Sequence, residues 1–234
     1  STSSFGGQLV WSASGNHRIR ILNRSTTTQT LFGVSVDAGR VATIGGNGAT
    51  GNATSGTALT NAFNTPSGVA FDGVDLYVAD TTNHCIKKIS STGVLSAVAG
   101  TCGTAGTLNG AVGVGRMNAP EGIQYYENGS HKGIVVGASG SARLMFYRIS
   151  GPSLLFGGTI VPGDTNVVAC GGTYHTDGVN GTLAICSGVY GATVLGTSVC
   201  FTNYTYHNVR CLNTSGQVST MMGAMQGIDD NAPG

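Results

Sequence analysis

The chain has 234 residues, with 39 Gly, 11 Lys or Arg, 10 Asp or Glu and a net charge of +1. Only 9% of it is charged, against about 25% in an ordinary soluble domain. That composition excludes a helical bundle or coiled coil and a charged disordered tail, and it argues against nucleic acid as the main partner, which needs many Lys and Arg.

Glycine without a three-residue period rules out collagen. What remains is an all-β chain of short strands and tight turns, rich in Gly, Ser, Thr and Val. No run approaches 18 apolar residues, so no membrane insertion is expected. The opening Ser1-Thr2-Ser3-Ser4-Phe5-Gly6-Gly7 carries neither the basic start nor the apolar core of a secretory leader.

In chain order, Gln8 to Asn23 reads QLVWSASGNHRIRILN, two alternating strands about a turn, with Trp11 expected in the core. An insertion, Arg24–Gly39, precedes a strand ending at Gly46. A Gly/Ser/Thr-rich linker covers 45–61. Thr65 to Asp72, TPSGVAFD, is a strand, and Asp75 to Gly100, DLYVADTTNHCIKKISSTGVLSAVAG, holds three more. After a linker at 101–115, Ala119 to Tyr126 repeats the TPSGVAFD strand, and Ile134 to Gly151 is a weaker copy of the strands beyond it. A strand closing near Gly171 and a linker at 171–184 follow. Ile185 to Tyr190 is a faint opening strand, and Ser198 to Gly223 aligns without a gap on Asp75 to Gly100.

The chain is therefore a repeat, with copies at 8–46, 62–100, 116–171 and 184–223 within one domain, 1–234. Four short strands per unit at a spacing of about 50–70 residues mark the blades of a β-propeller. The first copy lacks its opening strand. Gly227 to Gly234 reads as a linker or the opening of a next blade, and is expected to pair with the chain's start to complete a blade. The alternatives are a fragment, or a homo-oligomer that buries the open blade edges against a second copy.

Residues 63–100, FNTPSGVAFDGVDLYVADTTNHCIKKISSTGVLSAVAG, carry Pro-x-Gly-Val-Ala, Leu-Tyr-Val-Ala-Asp, Asn-His-x-Ile and a closing Val-Ala-Gly. This pattern resembles the NHL-repeat family of six-bladed propellers. The resemblance implies an extracellular sensor or attachment domain. Some propellers of similar design are metal-dependent lyases or hydrolases, and that is the alternative reading.

His17, His84 and His207 recur at one position of three copies, with Arg143 set against them in the remaining copy. Three His can ligate a metal. A repeated residue is also a repeated structural part, and hydrogen bonding between neighbouring blades is the expectation here. No metal, cofactor or catalytic set is expected: there is no nucleophile elbow and no pair of catalytic carboxylates. Tyr174, His175, Asp177, Tyr204 and Tyr206 fall on loops of one propeller face. Tyrosines with polar neighbours suit a glycan or protein on a cell surface.

Six Cys without a CxxC pair point to disulfides in an oxidising compartment, hence an extracellular or cell-surface protein. Six Asn-x-Ser/Thr sites, at Asn23, Asn52, Asn128, Asn180, Asn203 and Asn213, are near the chance level and leave the source open. The repeat register selects Cys85–Cys102, Cys170–Cys186 and Cys200–Cys211. Cys200 and Cys211 oppose each other across a hairpin, Cys102 lies just past the strand beside Cys85, and Cys170 and Cys186 flank a linker.

Overall fold

The computed structural model describes residues 2–5, 7–172 and 177–223. Its helical segments are single 3-10 turns, and the rest of its regular structure is antiparallel strand arranged as four propeller blades. Blade 1 runs Thr2–Phe5, Gln8–Ala13, Arg18–Leu22 and Val41–Gly45 from its innermost to its outermost strand. Blade 2 runs Pro66–Phe71, Leu76–Asp80, Cys85–Ile89 and Val94–Ala99. Blade 3 runs Pro120–Asn128, His131–Ala138, Arg143–Ser150 and Asp164–Ala169. Blade 4 runs Ala192–Leu195, Ser198–Asn203, Asn208–Leu212 and Gln217–Met222.

Alternation along the strands explains how blades stack. In blade 2, Leu76 and Val78 join Val10, Ile19 and Ile21 of blade 1 in one apolar cluster. Tyr77, Ala79 and Ile86 turn the other way and join Ile134, Val136 and Met145 of blade 3. Leu144 and Phe146 of blade 3 meet Val199, Phe201 and Leu212 of blade 4. Blades 2 and 3 thus bury both faces, which is why their strands read as nearly continuous apolar runs.

Several expectations are corrected. Blade 1 does have an opening strand, Thr2–Phe5, which pairs with Gln8–Trp11; Thr-Ser-Ser carries no apolar alternation by which to see it. Blade 4 opens at Ala192–Leu195 rather than at 185–190. Asn64 N–H donates to Asp80 Oδ1, and Ser187 N–H donates to Asn203 Oδ1 in the same way. That fixes Val189 opposite Pro66, three residues on from the alignment that matched Cys186 to it. In blade 3 the residue equivalent to the repeated His is Ala142, in the same left-handed conformation, and not Arg143. The linkers also carry structure. Ser55–Thr57, Gly110–Ala111 and Val179–Asn180 each add a fifth, outer strand to the blade that follows. The completion of a blade by residues 227–234 lies outside the described residues.

Blades 1 and 3 share a device. Between their third and outermost strands each inserts a hairpin, Gln29–Leu31 with Val34–Val36 and Leu154–Leu155 with Gly158–Thr159. Both turn on the same triplet, Leu31-Phe32-Gly33 and Leu155-Phe156-Gly157. The Phe and Gly have φ of 50° and 76° in one, 52° and 72° in the other, the two positive values that a two-residue hairpin turn requires. Each tip docks on the tight turn of the next blade. A Cβ on Gly33 would lie 2.5 Å from Thr92 O, and one on Gly157 would lie 2.7 Å from Ser215 O. The chain is in this respect a tandem of two two-blade units. Gly33→Ala is expected to lower stability by about 1–3 kcal/mol through overpacking and a disfavoured φ, read as a shifted urea midpoint.

The disulfides join Cys85 to Cys102, Cys170 to Cys186 and Cys200 to Cys211. The first ties the third strand of blade 2 to the linker that leaves it. The second spans that between blades 3 and 4. Cys200 and Cys211 face each other in register, with Cα atoms 4.0 Å apart.

Candidate binding face

One propeller face is assembled from the turns between second and third strands. These are the 3-10 turns Ser14–Asn16, Thr81–Asn83, Ser139–Ser141 and Tyr204–Tyr206. Each ends on a left-handed residue: His17, His84, Ala142 and His207. The outermost strands end at the same face, since a Cβ on Gly46, Gly100 or Gly223 would touch the carbonyl of His17, His84 or His207.

Hydroxyl groups link the blades along this face. Ser12 Oγ donates to the Ser67 carbonyl. Ser67 Oγ lies 2.6 Å from Thr81 Oγ1, which donates to the Pro120 carbonyl at 2.7 Å. Ser139 Oγ donates to Glu121 Oε1 at 2.8 Å, and the Gly122 N–H donates to the Tyr190 carbonyl at 2.8 Å.

Tyr190 and Tyr204 stand at the blade 4 end of this polar row. Their rings meet edge to face, with centroids 5.5 Å apart and planes at 80°. Yet Tyr190 is 46% exposed and Tyr204 67% exposed. Gly188 makes the pairing possible. Its φ is 70°, and a Cβ there would lie 2.9 Å from both Tyr190 Cε2 and Tyr204 Cβ. Thr202 Oγ1 accepts from the N–H groups of Tyr190 and Gly191, and Thr205 Oγ1 donates to Ser187 Oγ at 2.8 Å. The result is a rigid aromatic edge set among hydroxyls.

Of the residues singled out in the sequence, Tyr204 and Tyr206 share the last turn, with Tyr206 half-buried. Asp177 is committed elsewhere: it accepts from Arg210 Nη2 at 3.1 Å, and from Thr220 N–H at 2.8 Å and Oγ1 at 3.0 Å. It fastens its linker to blade 4. Tyr174 and His175 lie outside the described residues. Tyr190 does not stand out in the sequence, because the repeat alignment places it in a strand three residues out of register. Trp11 is half-buried on the face of blade 1 turned away from blade 2.

His17 and His84 bridge blades. Nδ1 of His17 accepts the Thr65 N–H at 3.0 Å, and Nδ1 of His84 accepts the Ala119 N–H at 3.1 Å. Among the described residues, no three His, Cys, Asp or Glu side chains group so as to hold a metal ion, and no helix is long and apolar enough to cross a membrane. The groups with displaced proton affinity lie elsewhere. Burial, and then Asp72, holds the Tyr77 hydroxyl protonated well above the usual phenol range. Burial, then the hydrogen bond to Glu127, does the same for Tyr125.

Residues 63–89 match the model of the NHL repeat. This chain carries an NHL repeat. The match begins at Phe63, which packs between blades 1 and 2, and ends with the third strand of blade 2. Curated protein sequences give no match. Among solved structures, the chain is similar to an auxiliary nutrient binding protein from Bacteroides ovatus. The two are 14% identical, over 92% of this chain and 46% of that one, with a TM-score of 0.57. It is also similar to a catalytically inactive virginiamycin B lyase from Staphylococcus aureus with quinupristin, at 12% identity over 94% of this chain and 53% of that one, with a TM-score of 0.54. The chain thus spans about half the length of each. Likeness at this level is likeness of fold.

Proposed function

We propose that this chain is an extracellular, non-catalytic binding module that recognises a glycan or protein on a cell surface through the face of the 3-10 turns. The observation that carries this reading is the Tyr190–Tyr204 pair, exposed and held in place, with Ser187, Thr202 and Thr205 around it. Aromatic rings supply contact area at low entropy cost, and hydroxyls supply orientation. The auxiliary nutrient binding protein among the similar structures supports the class of function. The three disulfides support an oxidising location.

The lyase among the similar structures favours a second reading, a metal-dependent propeller lyase or hydrolase. Against it, His17 and His84 spend Nδ1 on the neighbouring blade. The test is a glycan array and a cell-binding screen of the labelled protein, each run with and without a chelator. Binding that survives chelation is expected. Stoichiometric zinc or calcium in the purified protein, with turnover lost on chelation, would contradict it.

A further inference from the structure

Blade 4 carries almost no charge. Between Asp177 and Asp229 the sequence holds one Asp, Glu, Lys or Arg, which is Arg210. Its side chain is 1% exposed, and Nη2 lies 3.1 Å from Asp177 Oδ1. Tyr190 and Tyr204 therefore stand on a blade whose one permanent cation is buried and paired. Blade 3 brings no cation towards them. Lys132 and Arg148 lie towards the far end of their strands from the 3-10 turn. Arg143 follows that turn, but it shares a strand face with Met145, which packs against blade 2, and its Nη1 donates to the Ser141 and Ala142 carbonyls. The acid on this side is Glu121, half-buried next to Gly122 and accepting from the Ser139 hydroxyl.

The two tyrosine rings form a corner, because their planes stand nearly at right angles. Blade 3 holds one wall of it in place. The Gly122 N–H donates to the Tyr190 carbonyl, and a Cβ on Gly122 would lie 2.5 Å from that oxygen. A Cβ on Gly137 would lie 2.9 Å from the Val189 carbonyl oxygen. These two glycines let the first and second strands of blade 3 close on the segment that carries Tyr190. The other wall is tied to the same segment, since the Tyr204 N–H donates to the Gly188 carbonyl at 3.3 Å. Thr202 and Thr205 are exposed around the corner. Ser187 Oγ accepts from Thr205 Oγ1, which leaves the Ser187 hydroxyl its own proton to donate.

An uncharged sugar ring matches this corner in kind. The C–H groups on one side of a pyranose make an apolar face that lies on an aromatic ring, and its hydroxyls donate and accept around the rim. An acidic sugar would bring a carboxylate or sulfate to a place with no cation to pair it, and an unpaired charge is costly to desolvate. A protein partner would find no charge there to set its orientation, as protein interfaces use. We propose that Tyr190, Tyr204, Ser187 and Thr205 form a subsite for a neutral sugar residue, and that the absence of free charge makes the module select neutral glycans over sialylated, uronate or sulfated ones. This rests on the reading of the 3-10 face as the binding face and names its ligand class.

The test is an array of glycans paired by an acidic group, such as N-acetyllactosamine with and without a terminal sialic acid, and mannan against polymannuronate. The neutral member of each pair is expected to give a signal stronger by about tenfold or more. That signal is expected to change by less than about twofold between about 0.05 and 0.5 M NaCl. Tyr204→Trp keeps a ring and should retain it, whereas Tyr204→Leu keeps only apolar bulk and should lose most of it. Tyr204 is exposed, so the fold should accept both changes. Equal or stronger signal from the acidic members, a steep fall with salt, or full binding by Tyr204→Leu overturns the neutral-glycan inference and leaves the binding reading standing. So does cell binding that survives enzymatic deglycosylation and is lost on protease treatment, which assigns the face to a protein partner. Silence on both the array and cells overturns the inference and the binding reading together.

Discussion

Asp80→Ala is expected to destabilise the chain by about 3–5 kcal/mol, the usual cost of breaking a buried ion pair from one side. Asp80 and Lys87 are both fully buried, with Nζ 2.5 Å from Oδ2. The carboxylate also accepts from Asn64 N–H and from Asn83 Nδ2, both at 2.7 Å. It therefore fixes the start of blade 2, its 3-10 turn and its third strand together. Removing it leaves the ammonium over the Phe63 ring, 5.1 Å from the centroid, with no compensating anion. For a chain of this size the melting temperature should fall by roughly 10 °C. Adding Lys87→Met should recover part of the loss, because an apolar pair avoids the stranded charge. A double variant less stable than Asp80→Ala would show that Lys87 finds another partner.

The second large effect is expected at Cys170–Cys186. Replacing both with Ser removes the closure of a 16-residue separation and should cost about 3 kcal/mol. This bond differs from Cys200–Cys211, which lies within one blade, because it holds two blades together across their linker. Both Cys are buried beside Ala169 and Val189 in the cluster between blades 3 and 4. Loss should loosen blade 4 first, seen as faster amide exchange in 179–223 than in 8–99. Uniform acceleration across all four blades would mean that the array unfolds as one unit.

How far the sequence could be read follows from which positions repeat. Second and third strands are plain in LYVAD and CIKKI, because both blade faces are buried and the turn between them carries a repeated His. The entry to blade 4 is hidden because Val189 stands where blades 2 and 3 have proline, and the turn of blade 3 is hidden because Ala142 stands where the other copies have histidine. Thr2–Phe5 and the three fifth strands, with the sequences TSSF, SGT, GA and VN, are short and carry little alternation, and they exist only because a neighbouring strand offers its edge. The Leu-Phe-Gly triplets are a repeat at 156 − 32 = 124 residues, a period twice the blade spacing and therefore hidden from a search at one blade.

The site was legible to a smaller degree. Tyr204 follows from its place in the turn. Tyr190 does not, since only the corrected register brings it against Tyr204. Asp177 looked like a loop acid free for a ligand, but a lone carboxylate near a buried Arg210 is held by the guanidinium, and the sequence places them 33 residues apart.

The most direct measurement is binding on the glycan array and to cells by paired face variants. Tyr190→Ser with Tyr204→Ser removes the exposed ring pair from the 3-10 face. Leu154→Ser changes a residue that is 68% exposed on the hairpin at the opposite face. The binding account predicts at least a tenfold weaker signal for the double variant, about 1.4 kcal/mol, with stability retained, and no change for Leu154→Ser. Undiminished binding by the double variant, or loss in Leu154→Ser alone, would contradict it.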